Sequence, residues 1–185
     1  VGGWDQTRGY TWWQEPGYRT MSQFFRFGEA LVYPFYSSVH GLWDGLYSTF
    51  WLDGYDGCAE IAGIPYWNVG FLMSTVWLSL LPTAALILGA VAALVRPVKS
   101  AREGQLFAFL CLAAYLLAVV MMMLEVPSYS TLKGSYLLGI LCCLAILGAQ
   151  GFDLLTRNTI GRGVVYGGMA CWAFAVYAGY FIIWT

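Results

Sequence analysis

The segment 69–95 contains no aspartate, glutamate, lysine, arginine or histidine, and this feature most restricts how the chain can fold. A helix in water needs a polar face along its whole length, which this segment lacks. The segment is longer than the roughly 20 helical residues that cross the hydrocarbon core of a bilayer. Three later segments are similarly apolar: 105–124, 133–155 and 164–184. The sequence therefore predicts an all-α integral membrane protein with about four transmembrane helices in residues 69–185.

The basic residues between these segments predict an orientation. The loop 96–102 holds three basic residues and the loop after the third segment holds Arg157 and Arg162, whereas the loop 125–133 holds one acid and one base. Loops rich in Lys and Arg usually face the cytoplasm. Residues 1–68 and the C-terminus are therefore predicted to be exoplasmic. Because export of so long an N-terminal segment needs a signal or an upstream helix, we expect further transmembrane helices before this part of the protein.

Residues 1–68 are rich in aromatic side chains, including six tryptophans. Such rings concentrate at membrane–water interfaces. Two interpretations remain open: an interfacial belt alone, or a belt whose rings also bind a sugar or a lipid headgroup. Apolar residues at helical spacing predict two short interfacial helices, one ending near Pro34 and one over residues 39–50.

His40, Asp44 and Ser48 follow one another at four-residue spacing, opposite the apolar stripe of the second short helix. Residues at this spacing share a helix face. An imidazole beside a carboxylate can support general acid–base chemistry. The alternative is the exposed or headgroup-facing polar side of an interfacial helix. Because His40 is the only histidine, a site with several histidine ligands is excluded within this chain.

Lys133 and Tyr136 stand at the start of the third apolar segment. An ammonium and a phenol are thereby predicted to lie together at the headgroup layer. Ionisable residues at this depth are often functional, and lysine is a good point-charge partner for phosphate. The alternative is a lysine that extends to the headgroups only as an anchor.

Two motifs that contain glycine are weaker candidates for a site, and the net charge bears on the class of partner. Asp53 and Asp56 lie on a glycine-rich turn that suits a divalent cation, but no calcium-loop pattern is present, so no cofactor or metal is predicted. Gly163 and Gly167 permit close helix approach, which we interpret as packing within the chain. The net charge of −1, without a basic stripe, argues against nucleic acid as a partner.

Several motifs occur in a familiar order along the chain. They are residues 12–20 (WWQEPGYRT), 25–28 (FRFG), 43–51 (WDGLYSTFW), 126–129 (VPSY) and 133–136 (KGSY). In this order they resemble the C-terminal half of bacterial multi-spanning glycosyltransferases of the dolichyl-phosphate-mannose–protein mannosyltransferase type, the GT-C architecture. Gly134 and Ser135 depart from the pattern, because the family often has bulkier residues there.

The resemblance implies a bacterial inner-membrane enzyme that transfers a sugar from a polyprenyl-phosphate carrier to an exoplasmic acceptor. It implies that Lys133 faces the carrier phosphate, with Tyr136 beside it and Arg26 as a second cation. Four residues are then candidates for the sugar or acceptor groove: Trp43, Asp44, Trp51 and His40. The family's catalytic aspartate lies in an earlier loop that this chain does not contain, so neither Asp44 nor Asp53 is assigned that role.

A second function class remains open beside the enzyme. The chain can be a non-catalytic structural subunit of a larger membrane complex, in contact with lipid and with partner subunits or upstream transmembrane helices. A transporter fragment is a third class, although broken-helix repeats are not evident. The sequence therefore predicts the membrane fold but leaves enzymatic activity open.

Overall fold

The computed structural model of the chain describes residues 22–35, 37–54, 67–95, 103–125 and 133–182. Within these ranges it contains helices, turns and bends, without a β-strand. The α-helices are α1 (Ser22–Phe25), α2 (Glu29–Val32), α3 (Leu42–Trp51), α4 (Val69–Leu78), α5 (Leu80–Val95), α6 (Glu103–Glu125), α7 (Leu141–Leu155) and α8 (Thr159–Phe181). Two 3₁₀ helices cover Ser37–Val39 and Gly134–Ile140. The motifs at 12–20 and 126–129, Asp56, the loop 96–102 and residues 183–184 lie outside the described residues.

Four helical segments in the described part of the chain are long and apolar enough to cross a membrane, as predicted. They are Val69–Val95, Glu103–Met122, Gly134–Leu155 and Thr159–Phe181. The first three lie within about two residues of the approximate predicted bounds, and the fourth begins five residues before its approximate predicted start. Its helix begins at Thr159 because the Asn158 side chain accepts a hydrogen bond from the Gly161 N–H at 2.5 Å and caps it.

The first span is interrupted near Pro82, as the sequence predicts. α4 ends at Leu78 and α5 begins two residues later, with a turn at Ser79 between them. Proline supplies no N–H to the carbonyl four residues earlier, here that of Leu78. The Ser79 hydroxyl donates to the carbonyl of Thr75 at 2.7 Å and accepts from the Trp172 indole N–H at 2.8 Å. The hydrogen bond from Trp172 connects the interruption to α8.

The closest helix approach lies between α5 and α7. A Cβ atom added to Gly89 would overlap the main chain of α7, and one added to Gly151 would overlap the main chain of α5. Small residues allow membrane helices to approach so closely. At Gly163 and Gly167 the same test finds no described atom within 4 Å. The prediction of close intrachain packing at these two glycines is therefore wrong for the described residues, and their face of α8 is open.

α3 packs between the spans on one side and the segment 28–37 on the other. Leu42 and Leu46 pack against Val119 of α6. The Tyr47 hydroxyl donates to the carbonyl of Val76 in α4 at 2.6 Å. These contacts bury Leu42 and Leu46 of the apolar stripe that the sequence predicts, and the opposite face is buried by the segment 28–37.

A further contact of α3 joins it to α8. The Trp51 ring meets the edge of Trp172 in α8, with ring centroids 5.8 Å apart. Trp172 is nine residues from the end of α8, which corresponds to about 14 Å along the helix. The predicted short helices are present, and α3 contacts α8 about 14 Å from the end of that helix. Its position relative to the membrane interface stays a prediction.

Candidate functional site

The Asp44 carboxylate lies at the centre of the polar face of α3 and is fully buried. Its Oδ1 accepts hydrogen bonds from the main-chain N–H groups of Gly28 and Ala30, each at 2.9 Å. Gly28 precedes α2 with a φ of 141°, a conformation that favours glycine. The other carboxylate oxygen, Oδ2, is buried and has no hydrogen-bond partner among the described residues. Asp44 therefore holds the loop before α2 with one oxygen and leaves the other unsatisfied.

Ser37 and Ser48 also form hydrogen bonds on this buried face of α3. The Ser37 hydroxyl lies 2.7 Å from the Ser48 hydroxyl and 3.0 Å from the carbonyl oxygen of Asp44. Buried polar groups are usually paired in this way. The predicted polar face of Asp44 and Ser48 thus exists, but it packs against the segment 28–37 instead of facing water or headgroups.

A cavity of about 350 Å³ lies between α3 and the segment that contains α1 and α2. This size is at the lower end of the range of roughly 300–1,000 Å³ for small-molecule sites. The cavity is lined by Phe25, Arg26, Phe27, Gly28, Glu29, Val32 and Asp44. Arg26 and Glu29 form an exposed ion pair at 3.1 Å. With one guanidinium and two carboxylates, the lining carries a formal charge of −1.

His40 is not part of this cavity. It lies in the turn before α3, which begins at Leu42, and its side chain is exposed. The Asp44 carboxylate receives no hydrogen bond from it, since Oδ1 is bound by main-chain groups and Oδ2 is unpartnered within the described residues. The predicted imidazole–carboxylate arrangement on one helix face is therefore wrong.

Trp43 and Trp51 occupy different environments. Trp43 is 41% exposed, and its indole N–H donates to the carbonyl of Phe24 at 2.8 Å. Trp51 is half-buried in a ring cluster with Phe50, whose centroid is 4.7 Å away, and Trp172. Eight residues of helix separate the two tryptophans by about 12 Å. Their shared place in a sugar or acceptor groove stays a prediction.

Lys133 precedes a 3₁₀ helix that packs directly on α3. The N–H of Gly134 donates to the Thr49 hydroxyl at 2.5 Å. A Cβ atom on Gly134 would overlap the carbonyl oxygen of Leu46 and lie 2.7 Å from the nitrogen of Phe50. The glycine that departs from the family pattern is thus required here, because the backbone of α3 occupies the space of a side chain.

Tyr136 is held through its main chain. Its carbonyl accepts a hydrogen bond from the Tyr115 hydroxyl of α6, and its ring is 40% exposed. The 3₁₀ helix covers seven residues, although such helices rarely exceed three or four. Lys133 and Tyr136 therefore lie at an unusual helix start that is fixed by both α3 and α6.

The three residues predicted to bind the lipid phosphate fall into two groups. The carbonyl of Arg26 lies beside Gly41, just before α3, whereas Gly134 lies beside Leu46 and Phe50. Five residues of helix separate Gly41 from Leu46 by roughly 8 Å. Lys133 and Tyr136 are together, but Arg26 belongs to the Asp44 cavity and pairs with Glu29.

Tyr47 is a residue whose role the sequence did not indicate. Burial raises the pKa of its phenol well above the usual value of about 10, an effect partly offset by a hydrogen bond with Thr83. The phenol therefore keeps its proton and remains a donor to the first span. In the sequence, only the polar hydroxyl of Tyr47 beside an otherwise apolar stripe indicates this role.

Comparison of the chain with models of protein families, with curated proteins and with solved structures found no match. Among the residues that the structure describes, no group of three histidine, cysteine, aspartate or glutamate side chains is placed to hold a metal ion. The site is therefore interpreted from its own chemistry.

Proposed function

We propose that this chain is the membrane portion of a bacterial inner-membrane glycosyltransferase that moves a sugar from a polyprenyl-phosphate carrier to an exoplasmic acceptor. The observation that supports it best is the packing of α3 against the start of the third span, where Lys133 and Tyr136 lie. A buried helix bearing polar groups is thereby joined to a cation near the end of the bundle. The resemblance places the catalytic aspartate outside these residues.

Lys133 is the proposed partner of the carrier phosphate. When the sugar leaves, negative charge develops on the phosphate, and a fixed ammonium stabilises that charge more strongly in a water-poor site. The half-buried position of Lys133 at the beginning of a span suits this role. The exposed phenol of Tyr136 offers a hydrogen-bond donor on the next turn.

Binding of a short-chain polyprenyl phosphate to the protein in lipid nanodiscs tests the proposal, with native mass spectrometry as the readout. Lys133→Ala is expected to weaken binding at least tenfold, which corresponds to about 1.4 kcal/mol. Lys133→Arg should retain most of the affinity. Arg157→Ala removes an exposed cation at the opposite end of the bundle and serves as the matched control. Equal binding by the wild type and Lys133→Ala would contradict the proposal.

A second candidate is a non-catalytic subunit of a larger membrane complex. The open face of α8 around Gly163 and Gly167 favours it, because this face leaves room for a helix of another chain. Purification from the native membrane would then recover a stoichiometric partner, and Gly163→Leu would release it. If the same partner is retained by Gly163→Leu, this face is not the interface.

A further inference from the structure

Asp44 Oδ2 is a buried carboxylate oxygen that accepts no hydrogen bond from the described residues. A buried carboxylate oxygen without a donor is energetically costly, because it has lost its hydrogen bonds to water and has formed none with the protein. Among the described residues, three other buried side chains also have unpartnered atoms: Gln23, Ser38 and Gln150. None of these three lines the cavity between α3 and α2, whereas Asp44 does. Asp44 is therefore the residue that combines a buried, unpartnered oxygen with a position in the cavity lining.

We propose that this cavity binds a neutral, hydroxyl-bearing ring of pyranose type, one of whose hydroxyl groups donates a hydrogen bond to Asp44 Oδ2. The inference deepens the proposed function and rests on it in treating the ring as the sugar or the acceptor of the transfer. It places the sugar subsite at the start of α3, away from the phosphate partner Lys133.

The charge of the lining selects the ligand. Arg26 is already paired with Glu29, and Asp44 adds a second carboxylate. The resulting formal charge of −1 disfavours a phosphate group but accepts hydroxyl donors. The Arg26 guanidinium also presents donors to a ring oxygen, so both kinds of polar atom on a sugar find partners.

Two aromatic rings complete the site. Phe25 is 75% exposed and Phe27 is 47% exposed, and both line the cavity. The electron-rich face of such a ring attracts the partly positive C–H groups of a pyranose, as it attracts the edge of another aromatic ring. Rings of this kind, beside a few hydrogen-bonding groups, give a site shape and orientation specificity.

Binding requires a movement at the loop 26–29 that uncovers Oδ2 while Oδ1 keeps its hydrogen bonds to the N–H groups of Gly28 and Ala30. Oδ2 is shielded from solvent by its surroundings, which include Gly41 at the base of α3. The Arg26–Glu29 ion pair lies within this loop and is exposed, so it fixes these two side chains by at most about 1 kcal/mol. The position of a Cβ atom on Gly28 is free of other atoms within 4 Å, so the loop has open space on that side.

Saturation-transfer NMR with a methyl hexopyranoside, on the protein in nanodiscs, tests the inference. The wild type is expected to bind with millimolar affinity. Asp44→Asn keeps an oxygen for the two main-chain donors but replaces Oδ2 with an amide donor, so binding should weaken at least tenfold. Phe25→Ala removes a ring without touching the Asp44 hydrogen bonds and should weaken binding several-fold. Phe107→Ala removes another exposed ring, in α6, and should have no effect.

The outcomes separate this inference from the proposed function. If the glycoside does not bind, or binds equally to Asp44→Asn and Phe25→Ala, the inference is overturned, and phosphate binding at Lys133 is unaffected. Displacement of the glycoside by ethanolamine would also overturn it, because the cavity would then select a cation. If Lys133→Ala leaves polyprenyl-phosphate binding intact while Asp44→Asn abolishes glycoside binding, the proposed function fails and the sugar site remains. Should Asp44→Asn not fold, Phe25→Ala decides alone.

Discussion

Single polar side chains of α3 obtain their partners from other segments of the chain. Asp44 binds the loop before α2, and Tyr47 binds the first span. A hydrogen bond between neutral groups contributes about 1 kcal/mol net, but a polar group left unpaired in a dry interior costs more. These residues therefore specify where α3 sits, beyond the packing of its apolar side chains.

Tyr47→Phe is expected to lower the free energy of unfolding by about 1 kcal/mol near neutral pH, because the bond to Val76 is lost. The substitution should also change the pH dependence. The folded protein holds the phenol proton above the pH at which the unfolded chain releases it, since burial raises the pKa of Tyr47. Its contribution is thus complete below about pH 10 and declines above it, by no more than about 1.4 kcal/mol per pH unit.

Unfolding in a denaturing detergent, compared near neutral pH and at about pH 11, measures both effects. The wild type should lose more stability than Tyr47→Phe between the two conditions. Tyr33→Phe removes an exposed phenol and should keep the wild-type stability near neutral pH. An identical decline in the wild type and Tyr47→Phe would show that this phenol is not held protonated by the fold.

Among the elements, the 3₁₀ helix Gly134–Ile140 depends on the absence of a side chain at its first residue. Gly134→Ala is expected to push this helix away from α3 and to destabilise the protein by about 1–3 kcal/mol, as overpacking usually does. Gly139→Ala is the matched control in the same helix, because its new methyl group would lie 3.6 Å from the Tyr115 hydroxyl, an ordinary contact. Detergent unfolding measures the difference, and equal stability of the two variants would show that the close approach of α3 is absent.

The sequence predicts those elements whose signal is local. The spans follow from long uncharged runs, and the interruption near Pro82 follows from one residue type. The position of α3 does not follow from its own pattern, because a stripe of apolar residues beside Asp44 and Ser48 is compatible with an interface. Only the long-range contacts with Val119 and Trp172 show that it packs against the spans. The unpartnered Oδ2 likewise depends on a loop distant in sequence, so the sequence could propose Asp44 but not its role.

At the scale of the whole molecule, the two halves of the first span pack against different spans, α4 against α8 and α5 against α7, and α6 packs against α7. α3 lies at one end of the bundle, beside the start of the third span. The loop with Arg157 lies at the other end, since the third span runs 22 residues, or about 33 Å, from Gly134 to Leu155. The cavity-bearing end and the loop with Arg157 are therefore at opposite ends of the bundle.

Thiol labelling in intact spheroplasts tests this arrangement, in a variant whose native cysteines are replaced by alanine. A membrane-impermeant maleimide should label His40→Cys in intact cells, because His40 is exposed at the cavity-bearing end and that end is proposed to be exoplasmic. Arg157→Cys should react only after permeabilisation. Ser48→Cys should stay unlabelled in both conditions while the protein is folded, because Ser48 is fully buried within the bundle. Labelling of Ser48→Cys would show that this face of α3 is not buried. Labelling of His40→Cys and Arg157→Cys from the same side would contradict their placement at opposite ends of the bundle. If the two sides are exchanged, only the proposed orientation is contradicted, and the packing of α3 is unaffected.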